Sequence, residues 1–384
     1  MIGLLTTISS CVSKNEKQMK IEWSKLSTDG LSDNLAKGVS ASYSALIDGN
    51  IIVAGGANFP DKLGFEGGSK ALYDEVLMYN FDDETWRQVG TLPQKSAYGV
   101  SINSINGTYW IGGNTDSTSL NSVYHVTLKD GEVNLNQLVS LPASMDNFAG
   151  GEINNKLFVA GGSVDGIASN SIYMLDLNDD DKWIKLLDFP GIPRVQPVIS
   201  CLEIDGKEYL FLLGGFFTGD SQNIPAMATD ILRFDISENK WDVVGAQIDD
   251  NLNPFSLGGA TAMPYDNRYI ICFGGVNHDV FLDAISTQYA IGHDDNLSSD
   301  EKAVKNLEFS KNYMTQPIEY YNFNKEVRAF DTHLGVWTTI ESNDNCARAG
   351  ATLVSGKDSF YLVQGELKPG VRSPDTWKGK IEFE

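Results

Sequence analysis

The feature that most constrains the fold is a short apolar run that ends in two glycines and recurs along the chain. It occurs five times, in NIIVAGG, TYWIGG, KLFVAGG, YLFLLGG and YIICFGG, which end at Gly56, Gly113, Gly162, Gly215 and Gly275. A sixth run, FYLVQGE, ends in Gly365-Glu366, so that a carboxylate takes the place of the second glycine. Internal repeats of roughly 50 residues predict a solenoid or a propeller.

The sequence around each run predicts four strands per repeat. A turn signal such as Asp48-Gly49 precedes each run and separates it from an earlier strand, which gives a hairpin. Third and fourth strands follow, and in three repeats an aromatic residue precedes a tryptophan by seven positions. These pairs are Tyr79 and Trp86, Phe234 and Trp241, and Phe330 and Trp337, with a looser copy ending at Trp183. This pattern is typical of a kelch-type β-propeller blade.

Six repeats predict an all-β, six-bladed kelch-type propeller that is circularly permuted. After Glu366 the chain has room for one more strand, WKGKIEFE, so the sixth blade lacks a Trp-bearing fourth strand. MKIEWSKL, which contains Trp23, matches that strand and would pair with the C-terminal one, removing exposed sheet edges. We therefore expect one propeller over residues 19–384, with an insertion near 277–320 that contains a helix-like SSDEKAVKNLEF.

The charge and the N-terminus suggest where the protein acts. With 29 basic and 51 acidic residues the formal net charge is −22, which argues against nucleic acid or an anionic membrane face as a partner. MIGLLTTISSC resembles a lipobox with Cys11 as the lipidated residue. We therefore expect residues 1–18 to be a signal or lipoprotein segment with a linker. We expect a periplasmic protein, lipid-anchored to the membrane of a Gram-negative bacterium.

Candidate binding residues lie in the loops that a propeller gathers on one face. The connections between blades carry Tyr98, Asn147, Phe148, Arg194, Phe255 and Arg348, and the segments after the second strands carry Asn58, Glu366, Lys368 and Arg372. A carboxylate beside an arginine is suited to acid-base chemistry and to anion binding. An exposed loop acid in a degenerate blade, with loop cations and structural ion pairs, remains the alternative for these residues.

Other chemistries lack the residues that they require. The four histidines, His125, His278, His293 and His333, show no metal-ligand spacing, so no metal site is predicted. No phosphate-binding glycine loop and no Gly-x-Ser-x-Gly elbow occurs in the sequence, so no cofactor is predicted.

Several loops resemble those of the cyclically permuted kelch-propeller mutarotases typified by bacterial N-acetylneuraminate epimerase. GELKPGVRSPDTW is similar to that family's Gly-Glu-x-Lys-Pro-Gly-x-Arg loop, and FPGIPRVQP is similar to its Pro-Arg loop. GGVNHDVF with the insertion after it, QKSAYGVS and GGANFP match further loops. The resemblance implies that Glu366 and Arg372 are the essential residues. Ser96 departs from the pattern, because relatives often carry arginine there.

The implied activity is a cofactor-free interconversion of the α and β anomers of N-acetylneuraminate, an anionic sugar. Glu366 would transfer the proton, and Arg372 with Arg348 or Arg194 would bind the sugar carboxylate and depress the pKa of Glu366. Aromatic residues such as Tyr98, Phe148 and Phe255 would cover the apolar face of the sugar. Two alternatives stay open: a non-catalytic kelch module that binds a glycan or a protein partner, and a mutarotase for a different sugar.

Overall fold

The apolar runs before the glycines form central strands of small antiparallel sheets. The computed structural model describes residues 19–104, 106–179 and 182–383, so the predicted Cys11 lipidation site and the 1–18 segment lie outside the described residues. The described chain is mostly β-strand, in sheets that are all antiparallel, with few helices. This architecture is consistent with a β-propeller.

Six sheets have four strands each, and we number them I to VI in chain order. Sheet I contains Tyr43–Ile47, Asn50–Ala54, Glu75–Asn80 and Thr85–Thr91, and sheet II contains Val100–Ser104, Gly107–Ile111, Val123–Lys129 and Glu132–Gln137. Sheet III contains Ala149–Ile153, Lys156–Ala160, Ile172–Asp176 and Ile184–Lys185, and sheet IV contains Val198–Ile204, Lys207–Leu213, Asp230–Asp235 and Lys240–Ala246. Sheet V contains Thr261–Tyr265, Tyr269–Phe273, Glu326–Asp331 and Val336–Ser342, and sheet VI contains Thr352–Ser355, Phe360–Val363, Thr376–Phe383 and Met19–Lys25.

The apolar core is divided among the spaces between neighbouring sheets. Side chains alternate between the two faces of a strand, so each sheet can pack on a neighbour on both sides. Separate buried clusters lie between sheets I and II, II and III, III and IV, IV and V, V and VI, and VI and I. The first strands of consecutive sheets also contact one another, including those of sheets VI and I.

The connections that precede the first strands are joined by a closed ring of backbone hydrogen bonds. One residue from each connection donates its N–H to the carbonyl of the equivalent residue in the preceding connection, and the first donates to the last, over N–O distances from 2.6 to 3.2 Å. All six have positive φ, and in order around the ring they are Ala41, Tyr98, Asn147, Gln196, Gly259 and Gly350. The six connections therefore meet in one place in the structure.

The predicted pairs of aromatic residue and tryptophan are confirmed. Tyr79 lies opposite Trp86 across the third and fourth strands of sheet I, with ring centroids 5.2 Å apart. Phe234 with Trp241 and Phe330 with Trp337 repeat this register. The indole N–H of Trp86 donates to the carbonyl of Ser27, and Trp183, Trp241 and Trp337 make equivalent bonds to Val139, Leu187 and Ala246. Each tryptophan thus fixes its outer strand to a preceding segment of the chain.

The alignment of Glu366 with the second glycine of the repeat is wrong by one residue. Both glycines of the five pairs have positive φ, and in the sixth repeat Gln364 (φ 50°) and Gly365 (φ 108°) take those conformations. Glycine is needed at 365 because a Cβ there would lie 2.9 Å from the Cβ of Ala351. Glu366 follows the pair and bridges to Ala349, as Ala57, which follows Gly55 and Gly56, bridges to Ser40. A side chain is therefore tolerated at this position.

The insertion in sheet V contains three helices, and the second covers the predicted helix-like segment. They are α1 (His278–His293), α2 (Ser299–Met314) and α3 (Ile318–Tyr321). Asn277 caps α1 through the N–H groups of Asp279 and Val280, and Ser298 and Glu301 form a capping box on α2. Among the described residues, no helix has the length and apolarity that crossing a membrane requires.

Candidate active site

A cavity of about 340 Å³ opens where the connections, the hairpin after Gly365 and the helical insertion meet. All six residues of the hydrogen-bonded ring line it, and so do Glu366 of the hairpin after Gly365 and Phe281 and Tyr313 of the insertion. The volume lies within the range of pockets that hold small molecules. The cavity is therefore the candidate binding site.

Glu366 and Arg372 face each other across a short hairpin. Glu366–Lys368 pairs with Val371–Arg372, and the register puts Glu366 directly opposite Arg372. Residues directly opposite in an antiparallel pair have their side chains on the same face. The Arg372 Nη2 atom lies 2.6 Å from Glu366 Oε2, and the exposed fractions of the two side chains are 4% and 22%. The carboxylate is thus the more accessible member of a nearly buried ion pair.

Arg372 is held on its other sides by residues that flank the first two strands of sheet I. Its Nε donates to Ser40 Oγ over 3.2 Å, and its guanidinium lies over the Phe59 ring at 5.5 Å from the centroid. The Nη1 atom is buried without a hydrogen-bond partner among the described residues. These contacts fix the direction from which the arginine reaches Glu366.

Burial raises the pKa of Glu366, while the charges of Arg372 and Lys70 oppose that rise. Arg372 therefore lowers this pKa as predicted, but the expected net depression is wrong, because the cost of removing the carboxylate from water outweighs the attraction of the cations. A carboxyl group with a raised pKa can accept and release a proton closer to neutral pH.

Arg194 and Arg348 are engaged elsewhere in the protein. Arg194 has no exposed surface, and its Nη1 and Nη2 atoms donate to both carboxylate oxygens of Asp230. Arg348 is 3% exposed, and its Nη1 donates to the carbonyls of Gln364 and Asp375. Burial lowers the pKa of Arg348 to about 10. The structure does not bring either guanidinium into the cavity lining with Glu366.

A sequence model of the N-acetylneuraminate epimerase family matches residues 3–135 and 139–384. The chain belongs to this family. N-acetylneuraminate epimerase 1 of Escherichia coli O6:H1 is 27% identical over 64% of this chain and 60% of its own length. The N-acetylneuraminate epimerase of Yersinia enterocolitica is 28% identical over 65% of this chain and 59% of its own, so the chain spans about three-fifths of these relatives.

Two further similarities agree with this family. A kelch domain-containing protein of Vibrio cholerae is 28% identical over 64% of this chain and 65% of its own length. A solved structure described as "Structure of YjhT" superposes with a TM-score of 0.51 and 25% identity, over 61% of this chain and 62% of that one.

The other site residues predicted for this member of the N-acetylneuraminate epimerase family divide into two groups. Tyr98, Asn147 and Phe148 line the cavity with Glu366. The second group, Asn58, Phe255 and Lys368, makes contacts elsewhere. Asn58 is 2% exposed and hydrogen-bonds the Gly38 carbonyl and the Tyr73 hydroxyl, and Phe255 packs on Trp337. Lys368 donates to the carbonyls of Met314 and Gln316. Ser96, the departure from the family pattern, is buried beside Tyr43 in a smaller cavity.

Several residues that line the cavity were not identified as site residues from the sequence. Gln196 holds the same place in its connection as Tyr98 and Asn147, so the alignment of the connections could have identified it. Phe281 and Tyr313 enter from the insertion, and no sequence signal singled them out. Across residues 19–104, 106–179 and 182–383, no group of three or more His, Cys, Asp or Glu could hold a metal ion.

Proposed function

We propose that this protein interconverts the α and β anomers of N-acetylneuraminate by acid-base ring opening. The observation that carries the proposal is the Glu366–Arg372 pair, whose carboxylate lines a cavity of suitable volume. The family name and the names of the two epimerase relatives support the substrate and the class of enzyme, an isomerase.

One carboxylate is sufficient for this reaction. Glu366 accepts the proton of the anomeric hydroxyl and delivers it to the ring oxygen as the bond between that oxygen and the anomeric carbon breaks. The open-chain ketone then rotates, the liberated hydroxyl attacks its other face, and the proton returns through Glu366 to the carbonyl oxygen. No atom is gained or lost overall, and general acid-base catalysis of this kind contributes about 10²–10⁴-fold.

The rest of the cavity would position the sugar. Tyr98 and Phe148 offer apolar faces, and Asn147 and Gln196, joined by a 3.0 Å hydrogen bond, offer amide groups for sugar hydroxyls. Tyr313 closes the cavity from the insertion, and burial raises the pKa of its phenol.

We further propose that the six sheets are the blades of one circularly permuted propeller. The closed hydrogen-bonded ring of connections and the clusters between all neighbouring sheets support six blades. The pairing of Met19–Lys25 with Thr376–Phe383 supports closure of the last blade by the N-terminal strand.

A periplasmic location with a lipid on Cys11 also belongs to this proposal, on the strength of the MIGLLTTISSC pattern. Expression of the full chain and of Cys11→Ser should place the first in the membrane fraction and the second in the soluble periplasmic fraction. Equal distribution of the two proteins would contradict the anchor.

The activity is tested by NMR of freshly released α-N-acetylneuraminate, with the rate in buffer subtracted. The wild type should accelerate equilibration, and Glu366→Gln should lower kcat by about 10²–10⁴-fold while it still binds the sugar. Glu326→Gln is the matched control, because Glu326 also pairs with an arginine, Arg328, but does not line the cavity.

Two results would favour the alternatives. Binding without acceleration by the wild type would indicate a non-catalytic glycan module. Acceleration of another sugar's anomers in preference to those of N-acetylneuraminate would indicate a different substrate.

A further inference from the structure

The cavity presents no free cation of its own to an anionic sugar. Its described lining residues include neither lysine nor arginine, and Glu366 is the one ionisable carboxyl group among them. The charge of Arg372 is directed at Glu366, while Arg194 and Arg348 are buried in other contacts. With a net charge of −22, the protein as a whole repels anions. A substrate carboxylate therefore needs a cation from outside this lining.

Lys70 lies at the edge of the cavity. Its Nζ atom is 4.5 Å from the centroid of the Tyr98 ring and 3.3 Å from the Tyr98 hydroxyl, and Tyr98 lines the cavity. The charge of Lys70 also acts on Glu366. Lys70 is next to Ala71, which pairs with Asn58 in a short two-stranded sheet beside Phe59, the ring that supports Arg372.

Unlike Arg194, Arg348 and Arg372, Lys70 is available to bind a ligand. It is exposed, and no carboxylate lies within ion-pair distance of it in the part of the chain that the structure describes. A lysine carries a compact charge on a flexible stem, so it can move toward a ligand and retain contact with the aromatic ring.

We propose that Lys70 binds the carboxylate of the substrate and makes the site selective for sugar acids that carry a carboxylate on the anomeric carbon. This inference rests on the proposed function for its substrate class. Glu366 must reach the hydroxyl on the same anomeric carbon. The carboxylate of the substrate therefore faces Lys70 and its anomeric hydroxyl faces Glu366, on one side of the cavity. Arg372 then serves mainly to orient Glu366.

The experiment compares N-acetylneuraminate with its carboxyl methyl ester, which lacks the negative charge. Binding is measured by calorimetry and anomer exchange by NMR, for the wild type, Lys70→Met and Lys70→Arg. Lys62→Met is the control, because it removes the same charge from an exposed position in the same loop.

Lys70→Met should weaken binding of N-acetylneuraminate about tenfold or more, since a hydrogen bond to a charged group is lost. KM should rise by a similar factor with kcat little changed, Lys70→Arg should restore most of the affinity, and binding of the ester should be the same in all variants. Affinity of the wild type for the acid should fall with added salt, and that of Lys70→Met should fall less.

Equal effects of Lys70→Met and Lys62→Met, or an equal loss for acid and ester, would overturn the role of Lys70. Failure of the wild type to bind the acid would overturn it too. If the wild type binds the acid but does not exchange its anomers, the proposed activity fails while the calorimetric comparison still decides the role of Lys70.

Discussion

Replacement of Trp23 tests whether the N-terminal strand is an integral part of sheet VI. Trp23 lies on Met19–Lys25, and its ring makes edge contacts with Phe360 at 5.3 Å and Phe273 at 6.2 Å between centroids. Its indole N–H donates to Glu341 Oε1 over 2.6 Å. These contacts connect the strand to its own sheet and to the neighbouring sheet V.

The contacts of Trp23 give the size of the effect. Two edge-to-face ring pairs contribute ~0.5–1.5 kcal/mol each beyond buried area, and a hydrogen bond to a charged group contributes ~1.5–3 kcal/mol. Trp23 is only half-buried, so the lower part of these ranges applies. We expect Trp23→Ala to reduce the free energy of unfolding by about 3 kcal/mol, at the low end of truncations of buried aromatic residues.

Urea unfolding followed by circular dichroism measures this loss. Trp23→Phe keeps a ring but removes the N–H donor, so it should lose about half as much, and Ser24→Ala on the same strand should change little because Ser24 is exposed. A loss below about 1 kcal/mol for Trp23→Ala would mean that the strand does not complete the sheet, and the proposed closure of the ring would be refuted.

Two further predictions concern ionisable groups. Glu366 acts as a base only when ionised, and burial raises its pKa, so kcat/KM should fall with decreasing pH through a value above 4.5. Arg372→Gln should move this fall to higher pH, because a charge that lowers the pKa of Glu366 is gone. A fall that stays in place or moves to lower pH in that variant would contradict the assignment. Arg194→Met should destabilise the protein by about 3 kcal/mol or more in urea unfolding, because Asp230 loses its ion pair, and should leave KM unchanged; a raised KM in a folded variant would return Arg194 to the binding site.

The repeat could be predicted because its signals are local. A pair of positive-φ residues after an apolar run and an aromatic residue opposite a tryptophan are set by backbone sterics and strand register within a few residues. The candidate site was only partly predictable. Tyr98, Asn147, Phe148 and Glu366 line the cavity, because their positions follow from the repeat itself.

The sequence by itself determined the repeating sheets, the position of the insertion and the adjacency of Glu366 and Arg372, which lie within one short hairpin. The tertiary structure alone decided which cations remain available: it buries Arg194 against Asp230 and brings Lys70 close to Tyr98 at the cavity. The physical reason is that burial and ion pairing depend on contacts between distant segments, and no local pattern specifies how those segments meet.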